Sequence, residues 1–490
     1  RNTPQWFISM EKNNLRESAL KAINNTKFIP DSGRNRLNGM IETRPDWCVS
    51  RQRAWGVPIA IFVDKKTGEP LRDKKVLERI VEAVSVEGAD AWFNSDASRF
   101  LGSDYSAKDF DQVTDILDVW FDSGSTHSFV LEGRKDLKWP ASLYLEGSDQ
   151  HRGWFHSSLL ESCGTRGRAP YDAVLTHGFV MGEDGYKMSK SLGNIVSPQD
   201  VIDKNGADIL RLWVVGSDYS EDLRIGPEII KSHVDIYRRL RNTLRFLLGN
   251  LHGFEENERI TLAQMPELDR WMLHRLWEMG SLIRKCCEDF HFHALFTELH
   301  NFCSSDLSAF YFDIRKDSLY CDRVDSIARR SARTVLDEIF NCLTAWLAPF
   351  ICFTAEEAWL MRYPKDEESV HLQLFPELPE DWRDDELSKK WFKIRRLRRV
   401  VTGALEIERT EKRIGSSLQS APVIYTSADY EDSFKSMNKN ELADLFITSS
   451  ISFSSGKSPA NAFKLDDVPG VSVVPELAQG KKCERCWKIL

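Results

Sequence analysis

Apolar residues in the first part of the chain fall into short runs separated by turn residues, a pattern typical of strands. These runs are Ile59–Val63, Asp115–Phe121, Leu143–Glu146 and Ala173–Val180. Between the last two, Phe155–Ser162 has the three- and four-residue spacing of a helix. Strands that alternate with helices predict a parallel α/β sheet.

The pattern changes after about residue 199. Up to about residue 360, apolar residues such as Leu240, Leu244 and Leu247 recur at helical spacing, which predicts an α-helical bundle. Another helix is predicted over 388–409. Beyond it, three short apolar runs predict strands of a small mixed domain: Val423–Tyr425, Leu445–Ile447 and Val471–Val474.

Composition narrows the classes of function. The 490 residues are enough for several domains, and the formal net charge of -8 argues against a generally basic nucleic-acid binder. Ten scattered cysteines favour free thiols in a reducing compartment. Because no run of 18 apolar residues occurs, we expect no membrane span.

The segment Lys187-Met188-Ser189-Lys190-Ser191 follows an apolar run and an Asp-Gly turn. Two ammonium groups on a loop beyond a strand suit a polyphosphate, because fixed cations stabilise the charge that develops during phosphoryl or nucleotidyl transfer. A solvated Lys/Ser turn is the alternative that the pentapeptide alone leaves open.

Polar side chains crowd the end of the predicted strand Leu143–Glu146. They are Glu146, Ser148, Asp149, Gln150 and His151. Ligands of open α/β sheets bind at the carboxyl ends of the strands, and a carboxylate there can hold a substrate ammonium. The alternative is a capped helix start, with His151 as an ordinary surface residue.

Two tryptophans are candidates for the wall of an apolar pocket. Trp120 lies between a predicted strand and a turn, and Trp154 follows the polar cluster just described. Burial in the core is the alternative for both, because tryptophan most often serves there.

Taken together, these blocks resemble the class I aminoacyl-tRNA synthetases, and within them the isoleucyl-tRNA synthetase family of bacterial or organellar type. The segment Lys187–Ser191, the lysine loop, is similar to the KMSKS loop of that class. The blocks occur in the family's order across essentially the whole chain: Trp47–Arg53 with Trp55-Gly56, Trp120–Ser125, Leu143–Phe155, Lys187–Ser191, Leu268–Trp271 and Ile414–Leu418.

The resemblance implies a multidomain fold, α/β plus all-α, that begins within the family's catalytic domain. We expect the second half of a Rossmann-type catalytic domain over 1–198, with an insertion at about 64–112. A helical connection would follow over 199–262, a helical anticodon-binding domain over 263–385, and a mixed tRNA-contacting domain over 386–480. Residues 481–490 would start a zinc knuckle.

The resemblance also implies the activity: isoleucine reacts with ATP, together with Mg²⁺, to give isoleucyl-adenylate, and the aminoacyl group passes to tRNA(Ile). Glu146 would contact the isoleucyl-adenylate, while Asp149 and Gln150 would lie by the amino acid and the ribose. Trp120 and Trp154 are similar to the tryptophans that line the isoleucine pocket. The catalytic residues would be Lys187 and Lys190, and we also expect Ser189 and His151 to contact ATP.

The chain departs from the family pattern in one respect. None of its eleven histidines lies in a His-x-Gly-His motif, which the family carries before its editing domain. We therefore expect a portion that lacks both that motif and the editing domain and that is inactive alone. A non-catalytic tRNA-binding fragment or paralogue is the second hypothesis, and another nucleotidyl transferase of related fold is a third.

Two further groups are candidates for metal and RNA. Cys483 and Cys486 resemble the first half of the family's zinc knuckle, although a structural zinc site needs four ligands and two free thiols are the alternative. Of two basic stretches, Arg238–Arg245 reads as a solvated face. For the second we expect tRNA contact, through Lys389, Lys390, Lys393, Arg395, Arg396, Arg398 and Arg399, which alternate with Trp391, Phe392 and Leu397. We expect a cytoplasmic monomer, with an organellar location left open.

Overall fold

The computed structural model describes residues 3–365, 367–454 and 456–490. They form two compact units. The first comprises residues up to 180 together with 219–223, and the second comprises 181–218 and 224–490. In the described ranges no helix is both long and apolar enough to cross a membrane.

The first unit is a mixed α/β structure. Its strands are β1 (Phe7–Ile8), β2 (Lys27–Ile29), β3 (Trp47–Cys48), β4 (Ser50–Arg51), β5 (Phe62–Asp64), β6 (Phe110–Gln112), β7 (Ile116–Leu117), β8 (Tyr144–Gly147) and β9 (Ala173–His177). Its α-helices are α1 (Leu15–Asn24), α2 (Ser32–Glu42), α3 (Lys74–Glu87), α4 (Ala91–Asn94), α5 (Ala97–Leu101), α6 (Val119–Gly124) and α7 (Trp154–Arg166). A π-helical segment spans His127–Glu132, and 3₁₀ turns span Lys12–Asn14 and Ser148–Arg152.

The central sheet of this unit is parallel, as the sequence predicts, with strand order β2-β9-β8. Helix α7 connects β8 to β9, which confirms the predicted crossover helix. It ends where Gly167 adopts a left-handed backbone conformation with φ of 73°. The apolar side of α7 supplies Phe155 and Leu159 to the main core.

Two predicted strands of this unit are only partly correct. In the run Asp115–Phe121 the strand stops at Leu117, because Asp118 caps a helix that carries the rest of the run. The run Ile59–Val63 is a strand only from Phe62. Within the predicted insertion at 64–112, α3, α4 and α5 enclose a core of their own around Trp92.

The second unit is mainly helical. Its α-helices are α8 (Pro198–Asn205), α9 (Ala207–Val215), α10 (Pro227–Leu251), α11 (Glu267–Asp289), α12 (Phe292–Asn301), α13 (Asp313–Cys321), α14 (Ile327–Leu347), α15 (Cys352–Arg362), α16 (Asp385–Thr410), α17 (Ala428–Glu431) and α18 (Lys439–Phe446). The short strands β10 (Val180–Gly182) and β11 (Leu223–Ile225) lie at the boundaries of the units, and β12 (Val423–Thr426), β13 (Ser452–Ser454) and β14 (Val471–Val474) form a small sheet. The remaining helical segments are short 3₁₀ turns at 190–192, 256–258, 262–264, 370–372, 380–382 and 417–419 and a π-helix at 302–312.

The helical bundle is confirmed, and its core extends into the small mixed domain. Helix α16 runs from Asp385 to Thr410, slightly longer than predicted. The predicted strand Leu445–Ile447 is wrong, because Leu445 and Phe446 are the buried last residues of α18. An Asn438 capping box starts this helix, and its local hydrogen bonds outweigh the β-propensity of a three-residue apolar run.

Buried ion pairs connect the helices of the bundle. Asp269, on α11, is completely buried and accepts hydrogen bonds from Tyr311 (2.6 Å), Arg315 (2.9 Å) and Ser331 (2.5 Å). These partners lie on the π-helix 302–312, α13 and α14, so one carboxylate joins four segments.

Candidate active site and tRNA-contacting surfaces

The carboxyl end of β8 places the predicted polar cluster at the edge of the parallel sheet. The side chain of Glu146 is exposed there, and its Oε1 accepts a hydrogen bond from the backbone N–H of Gly147 at 3.0 Å. Asp149 is exposed as well, and its carboxylate accepts from Gln150 at 3.2 Å. The chain therefore presents two solvent-accessible carboxylates where α/β sheets bind their ligands.

His151 has a different environment from its neighbours in this cluster. It is 2% exposed, and its Nδ1 bonds the carbonyl of Ser148 at 2.8 Å. Its Nε2 faces Gly33 on α2, where an added Cβ would lie 2.7 Å away. Burial lowers the pKa of the imidazole, so the ring is neutral at physiological pH. The alternative of an ordinary surface residue is wrong.

The two tryptophans lie close together on neighbouring helices. Trp154 begins α7, and its indole N–H donates to the carbonyl of Ser123 on α6 at 3.0 Å. Trp120, on α6, is 42% exposed and packs against Gly153, where a Cβ would come within 2.7 Å of the ring. Trp120 is therefore not a core residue, and the pair forms one wall beside the end of β8.

Two residues that hold this wall in place were not singled out from the sequence. Asp118 caps α6 by accepting from the backbone N–H of Trp120 at 3.1 Å, and its other oxygen accepts from Arg51. Arg51 lies in the block Trp47–Arg53, which is part of the family resemblance. An Asp directly before a helical turn is the signal that could have identified the cap.

The lysine loop belongs to the second unit. Lys187 and Lys190 are exposed, and neither ammonium has a partner among the residues that the structure describes. The loop itself is held by Asn194, whose Oδ1 accepts from the backbone N–H of Ser189 at 2.9 Å. No pattern in the sequence distinguishes Asn194 from other loop residues. A braced backbone with two free ammonium groups is suited to an anionic ligand.

The cationic side chains of helix α16 fall into two groups, one partly buried and paired and the other exposed. Arg395 and Arg398 are partly buried and form ion pairs with Asp306 and Asp313 of the bundle, while Lys390 pairs with Glu267. Arg396 bonds the carbonyl of Asp467. The exposed members are Lys389, Lys393 and Arg399, although Lys389 and Arg399 also have carboxylate partners, Glu386 and Asp467.

The aromatic residues of α16 divide in the same way. Trp391 is 2% exposed and stacks on Trp271 with 5.6 Å between ring centroids, so its expected availability to a nucleic-acid base is wrong. Phe392 is 62% exposed, and Arg396 lies over its ring at 5.7 Å. Only Phe392 of these two could stack on a base.

The cysteine pair lies in a small hairpin at the end of the chain. The N–H of Cys483 donates to the carbonyl of Lys488 at 2.7 Å, and the N–H of Trp487 donates to the carbonyl of Cys483 at 3.0 Å. Backbone N–H groups of Cys486 and Arg485 lower the pKa of Cys483, which favours a thiolate ligand. The hairpin itself offers two thiols, and a structural zinc site needs four ligands. No group of three or more potential metal ligands occurs within the described residues.

Comparison with known proteins agrees with this arrangement. Residues 1–226 match the model of class I tRNA synthetases (I, L, M and V), and residues 269–425 match the anticodon-binding domain of tRNA ligases. The chain belongs to the class I tRNA synthetases. It is 58% identical over its whole length to isoleucine–tRNA ligase of Brucella abortus and 53% identical to that of Caulobacter vibrioides. It spans about half the length of these relatives, 50% and 51% respectively.

Solved structures of the class share the fold. One is a LeuRS–tRNA–LeuAMS ternary complex from Agrobacterium radiobacter K84, with a TM-score of 0.51 and 18% identity over 69% of this chain and 43% of that one. Another is Mycobacterium tuberculosis methionyl-tRNA synthetase bound by methionyl-adenylate, with a TM-score of 0.51 and 17% identity over 70% and 60% of the two chains. At this identity the likeness concerns the fold alone.

Proposed function

We propose that this chain is the part of an isoleucine–tRNA ligase that combines the second portion of its catalytic domain with its anticodon-binding portion. The intact enzyme would join isoleucine to ATP, releasing pyrophosphate, and pass the aminoacyl group from the adenylate to a ribose hydroxyl of tRNA. The observation that carries the proposal is the 58% identity to such a ligase over the whole chain.

The geometry of the first unit supports roles for the amino-acid site. Glu146 is an exposed carboxylate at a strand end, which suits contact with the ammonium of isoleucine or its adenylate. Asp149 and Gln150 are next to it, within reach of the same ligand. Trp120 and Trp154 offer an apolar wall for the side chain. His151 would act through the position of the 148–152 turn, because its ring faces the interior.

The lysine loop would serve the nucleotide. Lys187 and Lys190 are exposed and unpaired in the part of the chain that the structure describes, so both can follow negative charge on the phosphates of ATP as the α-phosphate is attacked. Magnesium would bind mainly through the nucleotide's phosphates, since Mg²⁺ usually keeps several waters and few protein ligands.

The test of this role is ATP–pyrophosphate exchange by the full-length protein. Lys190→Ala should slow isoleucine-dependent exchange by a few orders of magnitude, as expected for loss of a cation that stabilises the transition state. Lys204→Ala, an exposed lysine of α8, is the matched control and should leave exchange unchanged. Unaltered exchange in Lys190→Ala would contradict the role of Lys190. Exchange assays with valine or leucine in place of isoleucine test which amino acid the enzyme activates.

We also propose tRNA as the partner of the second unit, with Lys389, Lys393, Arg399 and Phe392 as the contacting residues of α16. Their exposure supports this choice, whereas the ion pairs of Arg395 and Arg398 serve the packing of the helix. Removal of one cation that binds a phosphate should lower the slope of log K against log salt concentration by just under about one.

The experiment compares two sets of substitutions. Lys389→Gln/Lys393→Gln/Arg399→Gln should weaken tRNA binding and reduce the salt slope. The control is Arg241→Gln/Arg245→Gln on α10, two exposed arginines that the sequence reads as a solvated face. If only the control weakens binding, the contact surface lies on α10 and the proposal for α16 is wrong.

A non-catalytic tRNA-binding protein is the second candidate, favoured by the absence of a His-x-Gly-His motif from these residues. The two candidates differ in one measurement. The 490-residue chain alone should bind tRNA without forming adenylate, while the full-length protein should support exchange. Full-length protein that binds tRNA but shows no exchange with any amino acid would favour the second candidate.

A further inference from the structure

A half-buried carboxyl group lies on the helix that begins with Trp154. Glu161 is on α7, two turns after Trp154 and on the same side of the helix, with Ser157 and Ser158 between them. Its Oε1 is buried and has no hydrogen-bond partner among the described residues. A buried oxygen without a donor destabilises a charged carboxylate far more than a neutral carboxyl group.

The end of α6 rests directly on this carboxyl group. Gly124, the last residue of α6, has no space for a side chain, because a Cβ there would overlap Glu161 Oε1 and lie 2.9 Å from the hydroxyl oxygen of Ser157. The preceding residue is Ser123, whose carbonyl accepts the indole N–H of Trp154. Glu161 therefore lies against the residue next to the carbonyl group that accepts the hydrogen bond of Trp154.

We propose that Glu161 is a positioning residue for the amino-acid pocket: its carboxyl group keeps the last turn of α6 packed on α7, and so maintains the hydrogen bond between Ser123 and Trp154. The proposal rests on the proposed function only in assigning the pocket to an amino acid. The coupling between Glu161 and the tryptophan wall is independent of that assignment.

Burial and the nearby charges together favour the protonated form of Glu161. Burial is the main cause that raises the pKa of Glu161 to about 8, and the carboxylate of Asp122 on α6 adds to it. Arg166, further along α7, acts in the opposite direction but is paired with Glu132 at 2.7 Å. From β8, the phenol of Tyr144 is neutral in this range, because burial raises its pKa further.

Loss of the proton to solvent would create a second negative charge near Asp122, where the described residues offer Glu161 Oε1 no hydrogen-bond donor. The carboxylate would then turn towards water, and the support beneath Gly124 would be lost. We therefore expect α6 to shift away from α7 above about pH 8, which lengthens or breaks the hydrogen bond from Trp154 to Ser123.

The experiment follows the indole N–H signals of this chain by NMR from neutral to alkaline pH, with ¹⁵N-labelled tryptophan. Trp154→Phe identifies the Trp154 signal among fifteen tryptophans. In the wild-type chain this signal should move with a midpoint at about 8, and Glu161→Gln should abolish the movement. Trp346, buried in the second unit, should stay constant. The exposed carboxylate variant Glu78→Gln is the matched control and should titrate like wild type.

A Trp154 signal that is constant over this pH range, or that moves equally in Glu161→Gln, would overturn the proposal. The remaining indole signals report whether each variant is folded. A second measurement uses the full-length protein: KM for isoleucine should rise severalfold above about pH 8 in wild type relative to Glu161→Gln, with similar kcat. If the full-length protein forms no isoleucyl-adenylate, the proposed function fails while the NMR result still decides the role of Glu161.

Discussion

Trp154 lies flat on the ring of Tyr144, with 4.1 Å between the ring centroids and 8° between the ring planes. The hydroxyl of Tyr144 is 3.2 Å from that of Ser158, one turn after Trp154 on α7. Tyr144, whose hydroxyl contacts Ser158, thus packs against Trp154 in the wall of the proposed amino-acid pocket.

Removal of this stack should weaken amino-acid binding. Tyr144→Leu abolishes the aromatic contact, which is worth about 0.5–1.5 kcal/mol, so KM for isoleucine in the exchange reaction should rise roughly twofold to tenfold. Tyr144→Phe retains the stack and serves as the control. Equal KM values for the two variants would show that the stack does not position Trp154.

Loss of the buried carboxylate of Asp269 should destabilise the second unit. Asp269→Ala leaves the charge of Arg315 buried without its partner, and we expect a loss of about 3–5 kcal/mol in the free energy of unfolding. Urea unfolding followed by far-ultraviolet circular dichroism measures it, because most helices lie in this unit. Asp325→Ala removes an exposed ion pair with Arg323 and should cost less than about 1 kcal/mol. Similar losses in both variants would contradict the role of burial.

Burial of His156 should make the first unit sensitive to acid. Burial, with Arg44 and Arg152 nearby, lowers the pKa of His156 to about 3 from 6.5. The unfolded chain binds a proton below about pH 6.5 and the folded chain does not, so stability should fall as pH drops from about 6.5 towards 3, by at most ~1.4 kcal/mol per pH unit.

The measurement is the difference between wild type and His156→Gln at several pH values, since carboxylates titrate equally in both. Hydrogen exchange of α7 reports the local stability. His156→Gln should show the shallower loss with acid, and His291→Gln, at an exposed histidine, should match wild type. Parallel curves for wild type and His156→Gln would show that the imidazole is protonated without cost in the folded state.

Zinc binding by the terminal hairpin should be weak in this chain. Cys483 and Cys486 supply two thiolates, and two missing ligands leave the affinity far below that of a complete site. Metal analysis should find less than one zinc per 490-residue chain after dialysis, and one per chain in the full-length protein. One tightly held zinc in the 490-residue chain, lost in Cys483→Ser, would mean that other residues complete the site.

Elements with a local pattern could be predicted from the order of residues alone. The strands β8 and β9, the helix α7 and the long helix α16 follow from apolar periodicity, because burial of one face is enough to select strand or helix. The order of the blocks identified the family. The polar cluster at the end of β8 could be located for the same reason, since the edge of a parallel sheet is set by where its strands stop.

Which side chains of a pattern face solvent became clear only in the folded chain. Trp391 and Phe392 are adjacent in sequence, yet one is in the core and the other is exposed, because a helix turns by about 100° at each residue. Likewise, the cations of α16 differ in their partners, which lie on α13, on the 302–312 helix and in the small mixed domain.

The residues that hold the candidate site in place could also be identified only from the tertiary structure. Three pairs show this: Glu161 with Gly124, Tyr144 with Trp154, and Arg51 with Asp118 each join residues of two different secondary-structure elements or their caps. Apart from Asp118, which stands directly before a helical turn, no local pattern distinguishes these residues from ordinary core or surface positions. Their roles arise from contacts between separate elements, which form only when the chain packs and removes these groups from water.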